Sequence, residues 1–357
     1  MSKQAETGRG KIKGNRFCRA PIRIILTAIL IMGLAVAFAG CGTSEKSDDA
    51  GAKGDKTKIT FVLDWTPNTN HAGIFMAKSS GYFEEAGLDV EIVQPPENGV
   101  EAVVGSGKAE MGVSFQDYMA PALEGKKKQM PITAVAAILQ HNLSGIMSEK
   151  GNGITSPKGL EGKSYATWEI PIEQAILKEC IEADGGDFSK VKMVPEVIDD
   201  EVAALKSKKV DSIWVFYGWA GINAQVHDFP IDFFAFRDIE DVFDYYSPVI
   251  IANDGFIKDN PEAVKAFLEA ARKGYEEAID YPKNATNVLL EESPELDADL
   301  VMESLNYLGD QYIADASRWG EIDPKRWNAF YNWLNEKGLT EKPIPENAGF
   351  TNEFLPK

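Results

Sequence analysis

The sequence predicts an α/β protein of two lobes, each built on a mixed, mainly parallel sheet, joined by a hinge of two chain crossings. Three observations lead there. From residue 58 onward, short apolar runs alternate with amphipathic segments of helical period, the signature of strands feeding helices. That rhythm breaks twice, at "MSEKGNGITSPKGLEGKS" and near "DIEDVFDYY". Finally, "SGKAEMGVSF" (106–115) and "SKKVDSIWVF" (207–216) share a faint pattern, a helix end followed by an acid and an apolar strand. At 357 residues and 44% hydrophobic composition, the chain has enough material for two cores.

The elements follow in order. "KITFVLDW" reads as a strand, "AGIFMAKSSGYFEEAG" as a helix, "LDVEIVQP" as a strand, "GVEAVVGSGK" as a short helix and "AEMGVSF" as a strand. "DYMAPALEGK" and "PITAVAAILQ" add a helix and a strand. After the first break come strand "YATW", helix "PIEQAILKECIEADGG", strand "KVKMVPEV", helix "DDEVAALKSKKV" and strand "DSIWVFYGW". After the second, "SPVIIAND" leads into three helices, the last of them "DPKRWNAFYNWLNEKG". The expected lobes are therefore 58–150 with 248–357, and 151–247.

The first forty residues differ from the rest. A basic start, the apolar run "IILTAILIMGLAVAFAG" and small residues before Cys41 make a signal peptide over 1–40. "FAGC" resembles a bacterial lipobox, which implies lipidation of Cys41, followed by a polar tether over 41–57. The chain is then expected to be extracytoplasmic and lipid-anchored to a bacterial cell membrane. Residues 1–40 hold seven Lys or Arg and one Glu against −18 for the whole chain, so the remainder carries −24. Such an acidic body excludes nucleic acid as a partner, because binding it requires basic surface. With Cys18 leaving in the signal peptide and Cys41 lipidated, Cys180, which lies in a helical pattern, has no cysteine to pair with and reads as a buried small residue.

Ligands in open α/β sheets sit beyond the carboxyl ends of strands. Those ends here read "LDWTPNTNHAG", "SFQDY", "LQHNLSG", "ATWEIP" and "FYGWAG", with "FDYYSP" at the second crossing. They gather Trp65, Tyr118, Trp168, Tyr217, Trp219 and Tyr246 with Asp64, Asn68, His71, Gln116, His141 and Glu169. Flat faces with a few hydrogen-bonding groups suit a planar heterocycle. Competing readings are weaker. Pro67 and Asn70 also belong to any turn into a helix, and three histidines without paired spacing give no metal site. "GSGK" at 105–108 follows a helix and reads as a helix-ending turn, and the aromatics of "RWGEIDPKRWNAFYNWL" fall at core-facing helical spacing.

"TFVLDWTPNTNHAGIFMAKSSGYFEEAGLDVEI", "SGKAEMGVS", "AILQHNLSGIMS" and "YYSPVIIAND" together resemble the substrate-binding components of ABC importers for thiamine-pyrimidine precursors, the formylaminopyrimidine-binding branch. The resemblance implies a type II periplasmic-binding-protein fold, delivery of a small heterocyclic ligand to ABC permease subunits, and no cofactor. A monomer is expected. A riboflavin-type ligand is the alternative. The same family includes a fungal enzyme that makes the thiamine pyrimidine from pyridoxal phosphate and its own histidine. In the motif matching "SGKAEMGVSFQDY", that enzyme has a cofactor-holding lysine and, four residues on, the consumed histidine; here Ser114 and Tyr118 stand at those positions. Its cysteine-rich iron motif near "DYYSPVIIAND" is also missing, which favours binding over catalysis.

Overall fold

The computed structural model describes residues 56–357. The expected signal peptide, Cys41 and nearly all of the tether lie outside these residues.

Two five-stranded sheets form the frame. The first joins β1 (Thr57–Val62), β2 (Leu88–Val93), β3 (Met111–Ser114) and β4 (Ile132–Ala137) with β10 (Val249–Asn253), in the order β2-β1-β3-β10-β4. The second joins β5 (Ser144–Glu149), β6 (Ser164–Thr167), β7 (Lys192–Pro195), β8 (Ser212–Phe216) and β9 (Ile231–Ala235), in the order β7-β6-β8-β5-β9. β1 pairs in parallel with β2 and β3, while β10 runs antiparallel to β3 and β4. β6 pairs in parallel with β7 and β8, while β5 runs antiparallel to β8 and β9. Four strands of each sheet therefore share a direction, and the reversed one lies inside the sheet. β3 and β8, the two halves of the faint repeat, occupy equivalent places.

The chain passes between the sheets twice, at 138–143 and at 236–248, and each passage delivers the reversed strand. The first boundary, expected at residue 150, moves back accordingly. Ser144–Glu149 pairs along its length with β8 and β9, so it belongs to the second sheet. β5 and β9 had no counterpart among the sequence-derived elements.

The helices that follow β10 return to the first lobe. Helix Pro261–Asp280 buries Val264, Phe267, Leu268, Ala271, Gly274, Tyr275 and Ala278, a stripe at three- and four-residue spacing that faces the core. Phe267 stacks between Phe61 of β1 and Phe83. Helix Pro324–Glu336 buries Trp327, Phe330, Tyr331, Trp333 and Leu334, so these aromatics are core, as their spacing indicates. Cys180 is fully buried, and burial pushes its thiol pKa up, which leaves it unreactive. Gly105 closes helix Val100–Gly105 and Gly107 has φ +71°, which makes "GSGK" a helix-ending turn. Among the described residues, no helix is long and apolar enough to cross a membrane.

Candidate functional site

The loop after β1 is held rigidly by its own polar groups. Asn68 caps the short turn Thr69–His71, its side chain accepting from the Asn70 amide. Tyr275 and Tyr312 donate their hydroxyls to the carbonyls of Asn70 and Thr69, both at 2.7 Å. The His71 Nδ1 accepts from the Asn68 amide at 3.2 Å, which assigns the ring proton to Nε2. Nε2–H then donates to Asp64 Oδ1 at 2.6 Å. His71 is fully buried and reaches the cavity lining only through Asp64, whose carboxylate it orients.

Opposite this loop, Trp168 rides on a segment tied to a single carboxylate. Glu173, itself buried, accepts from the Tyr165 hydroxyl (2.7 Å), Thr167 Oγ1 (3.0 Å) and the amides of Trp168 and Ile170 (both 3.2 Å). Proline at the start of helix Pro171–Ala183 gives that helix a fixed entry. Glu173→Gln would put an amide NH2 where two of the four donors now point. We expect about 1–3 kcal/mol lower stability and weaker ligand binding, read by chemical denaturation and by titration; an unaltered affinity would mean that Trp168 does not depend on this anchor.

Between the two walls lies a cavity of about 340 Å³, within the range of about 300–1,000 Å³ usual for small-molecule sites. The first lobe contributes Asp64, Trp65, Asn68, Asn70, Phe115 and Tyr118. The second contributes Trp168, Val197 to Asp199, Glu201, Trp214 to Phe216, and Trp219 with Ala220. Phe115 stacks on Phe216 from the other lobe with ring centres 5.8 Å apart, and the Tyr118 ring meets Phe115 edge-on at 5.3 Å. A side chamber of about 210 Å³ shares Asp64, Phe115 and Tyr118 and adds Pro95, Pro96, Glu97 and Glu101.

Six of the residues singled out from the sequence meet at this cavity: Asp64, Trp65, Asn68, Tyr118, Trp168 and Trp219. His71 lies one layer behind. Gln116 is buried, its amide donating to the Trp327 carbonyl at 2.8 Å and accepting from the Tyr246 amide at 2.9 Å. Tyr246 is buried too; its hydroxyl accepts from the Asp323 amide at 2.7 Å and Arg326 lies over its ring. Tyr217 packs on Phe233 and Tyr307, at 4.8 and 5.3 Å, outside the cavity lining. Glu169 is exposed beside Trp168, with φ +61°, and does not line the cavity either. His141 sits between Asp244 (2.7 Å) and Asp315 (3.0 Å) in a separate charged hollow with Arg237 and Arg326. The sequence reading missed Val197, Ile198 and Asp199. They follow β7, so the strand-end rule that located the others would have found them.

Two carboxyl groups near the cavity, those of Glu101 and Asp117, hold their protons unusually well. Burial pushes Glu101 up, and the neighbouring Asp64 charge adds to that, against a hydrogen bond from Ser114 Oγ. Burial likewise raises Asp117 from 3.8 to about 7. Because the fold binds this proton more tightly than the unfolded chain does, Asp117 favours folding below about pH 4, and that contribution is lost as the pH rises through about 7. Asp117→Asn is therefore expected to raise the melting temperature at about pH 8 and leave it little changed near about pH 4. Equal shifts at both pH values would contradict a raised carboxyl pKa.

The architecture is that of the periplasmic-binding-protein fold. The alkanesulfonate-binding protein SsuA from Xanthomonas axonopodis superimposes with a TM-score of 0.63 at 11% identity, covering 84% of this chain and 99% of its own. The Candida albicans CA3427 product, described as having the generic periplasmic binding protein fold, gives 0.58 at 12% identity over 85% and 98%. The chain belongs to the NMT1/THI5-like family, whose model matches residues 68–285. A formylaminopyrimidine-binding protein of Halalkalibacterium halodurans is 30% identical, covering 91% of this chain and 98% of its own. The Saccharomyces cerevisiae 4-amino-5-hydroxymethyl-2-methylpyrimidine phosphate synthase THI11 is 29% identical over 84% and 88%.

Proposed function

We propose that this protein is the solute-binding component of an ABC importer, capturing a thiamine-pyrimidine precursor of the formylaminopyrimidine type for salvage. It would be exported, held to the outer face of the membrane through a lipid on Cys41, and serve permease subunits as a monomer. One observation carries the reading of the site. Among the described residues five large hydrophobic side chains are exposed, and four of them, Trp65, Tyr118, Trp168 and Val197, line the same cavity. Exposed aromatics gathered in a concave site from two lobes are what a planar ring needs in order to be held on both faces. Closure of the lobes on that ring makes contacts absent from the open form, so ligand shifts the population toward the closed state. The name of the Halalkalibacterium halodurans relative supports a formylated aminopyrimidine as the ring.

The fungal relatives are named synthases, and a synthase reading needs a lysine and a histidine where this chain has Ser114 and Tyr118. Ser114 is buried and engaged with Glu101, and a serine there forms no Schiff base. Binding without turnover is the better account. Thermal unfolding with formylaminopyrimidine, riboflavin and thiamine tests it: a ligand at about a hundred times its dissociation constant adds about 2.7 kcal/mol of stability. A shift with formylaminopyrimidine alone supports the proposal. A shift with riboflavin alone replaces the ligand, and consumption of the ligand would overturn the binding role.

A further inference from the structure

We propose that Ser304 is a positioning residue of the ligand site, fixing the wall that carries Trp219 to the wall that carries Asn68 and Asn70. This rests on the reading of the cleft as a heterocycle site and names what holds its two sides in register. Helix Ala298–Gly309 buries Leu300, Val301, Ser304, Leu305 and Leu308, and Ser304 is the only polar side chain in that stripe. Val301, Leu305 and Leu308 pack into the first-lobe core. A serine among them is accounted for by its hydrogen bonds rather than by its packing.

Those bonds run to both lobes. Ser304 Oγ donates to the carbonyl of Gly218, in the turn that follows β8. A serine hydroxyl has one proton, so the Thr69 hydroxyl, 2.7 Å away, donates its own to Ser304 Oγ. Thr69 adjoins Asn70 and Gly218 adjoins Trp219, and both of these neighbours line the cavity. Thr69 and Ser304 are fully buried, so the relay is dry. One turn along the helix, Leu308 closes on the same Gly218, where a Cβ would lie 2.7 Å from the leucine Cδ2. Thr69, Gly218, Trp219 and Leu308 surround a void of only about 10 Å³, which leaves the Trp219 ring little freedom to shift. A directed hydrogen-bond chain in a dry site allows one placement of the segments it joins, and a ring already in place costs less to order when ligand binds. Ser304→Ala would release the Trp219 turn from the Thr69 loop without altering any side chain of the cavity lining.

Calorimetric titration of the purified protein and its variants with formylaminopyrimidine decides the matter. Ser304→Ala is expected to weaken binding by about three- to tenfold, the worth of one lost hydrogen bond. Thr69→Val, which removes the other hydroxyl at nearly constant volume, should do the same, and it covers the case in which the first variant does not fold. Thr69→Ser keeps the hydroxyl and should restore the parent's affinity. In a Trp219→Ala background, Ser304→Ala should cause no further loss, because the ring it positions is gone. A purely structural role would lower the melting temperature and leave the affinity of the folded variants unchanged; that outcome would overturn the proposal while leaving the heterocycle site standing. A loss that persists in full without Trp219 would overturn it as well. Failure of the parent itself to bind would bring down the formylaminopyrimidine reading and this inference together.

Discussion

Trp168→Ala is expected to weaken ligand binding by about ten- to a hundredfold, the worth of one aromatic face stacked on a heterocycle. Tyr118→Ala should cost a similar factor from the opposite lobe. The two rings are 38% and 47% exposed and also pack on Trp214 and Phe115, so each truncation should lower the melting temperature without ligand modestly while leaving the fold intact. Titration calorimetry on each variant reads the loss directly. The double variant adds a second criterion. If both rings sandwich one ligand ring, the loss in the double variant should depart from the sum of the single losses, whereas two rings acting on separate ligand parts should give additive losses. Undiminished affinity in both single variants would remove the aromatic cavity from consideration as the site.

Gly274→Ala is expected to be the most destabilising single methyl in the first lobe. A Cβ at this position would lie 1.9 Å from the Gly73 carbonyl oxygen and 2.8 Å from the Ala77 amide. Both are backbone atoms of helix Ala72–Ser79, which cannot rotate away as a side chain could. The two helices must part, and overpacking of this kind costs about 3 kcal/mol or more. Gly309→Ala is the matched control, since a Cβ there meets nothing within 4 Å; it should be neutral or gain up to about 1 kcal/mol through helix propensity. Urea denaturation separates the two. A Gly274→Ala midpoint equal to that of the parent would refute the close helix approach.

The alternation of periods was enough to reveal the α/β class, because β1, β2 and β3 are each apolar runs bounded by turn residues. The two strands that escaped notice did so for physical reasons. "SGIMSE" is short and contains Gly145, a residue that weakens a strand signal; in the structure a Cβ there would fall 2.1 Å from the Phe234 carbonyl, so the glycine is what allows β5 and β9 to meet. At the cavity, the strand-end rule located loops that line it but could not tell which polar groups face inward. Gln116 looks like a ligand reader until its partners are known, and these come from Trp327 and Tyr246, far along the chain. Asp64 and Trp65 were legible because they stand directly beyond β1, where little besides the cleft can receive them. Glu101 was not, since it lies in a helix and reaches the chamber only through the packing of β3 against that helix.

The position of β10 also governs the order in which the protein can assemble. β3 and β4 are not hydrogen-bonded to each other; in the sheet they are joined by a strand that is synthesised after the whole second lobe. Until residue 253 has emerged, the first sheet is two fragments with open edges, and its covering helix, Pro261–Asp280, comes later still. The second sheet, by contrast, draws all its strands from 144–235 and can close on itself. Contacts of such long sequence separation form slowly. The lobe that begins the chain is thus the last to be completed, and a nascent chain stays incompletely folded for most of its synthesis.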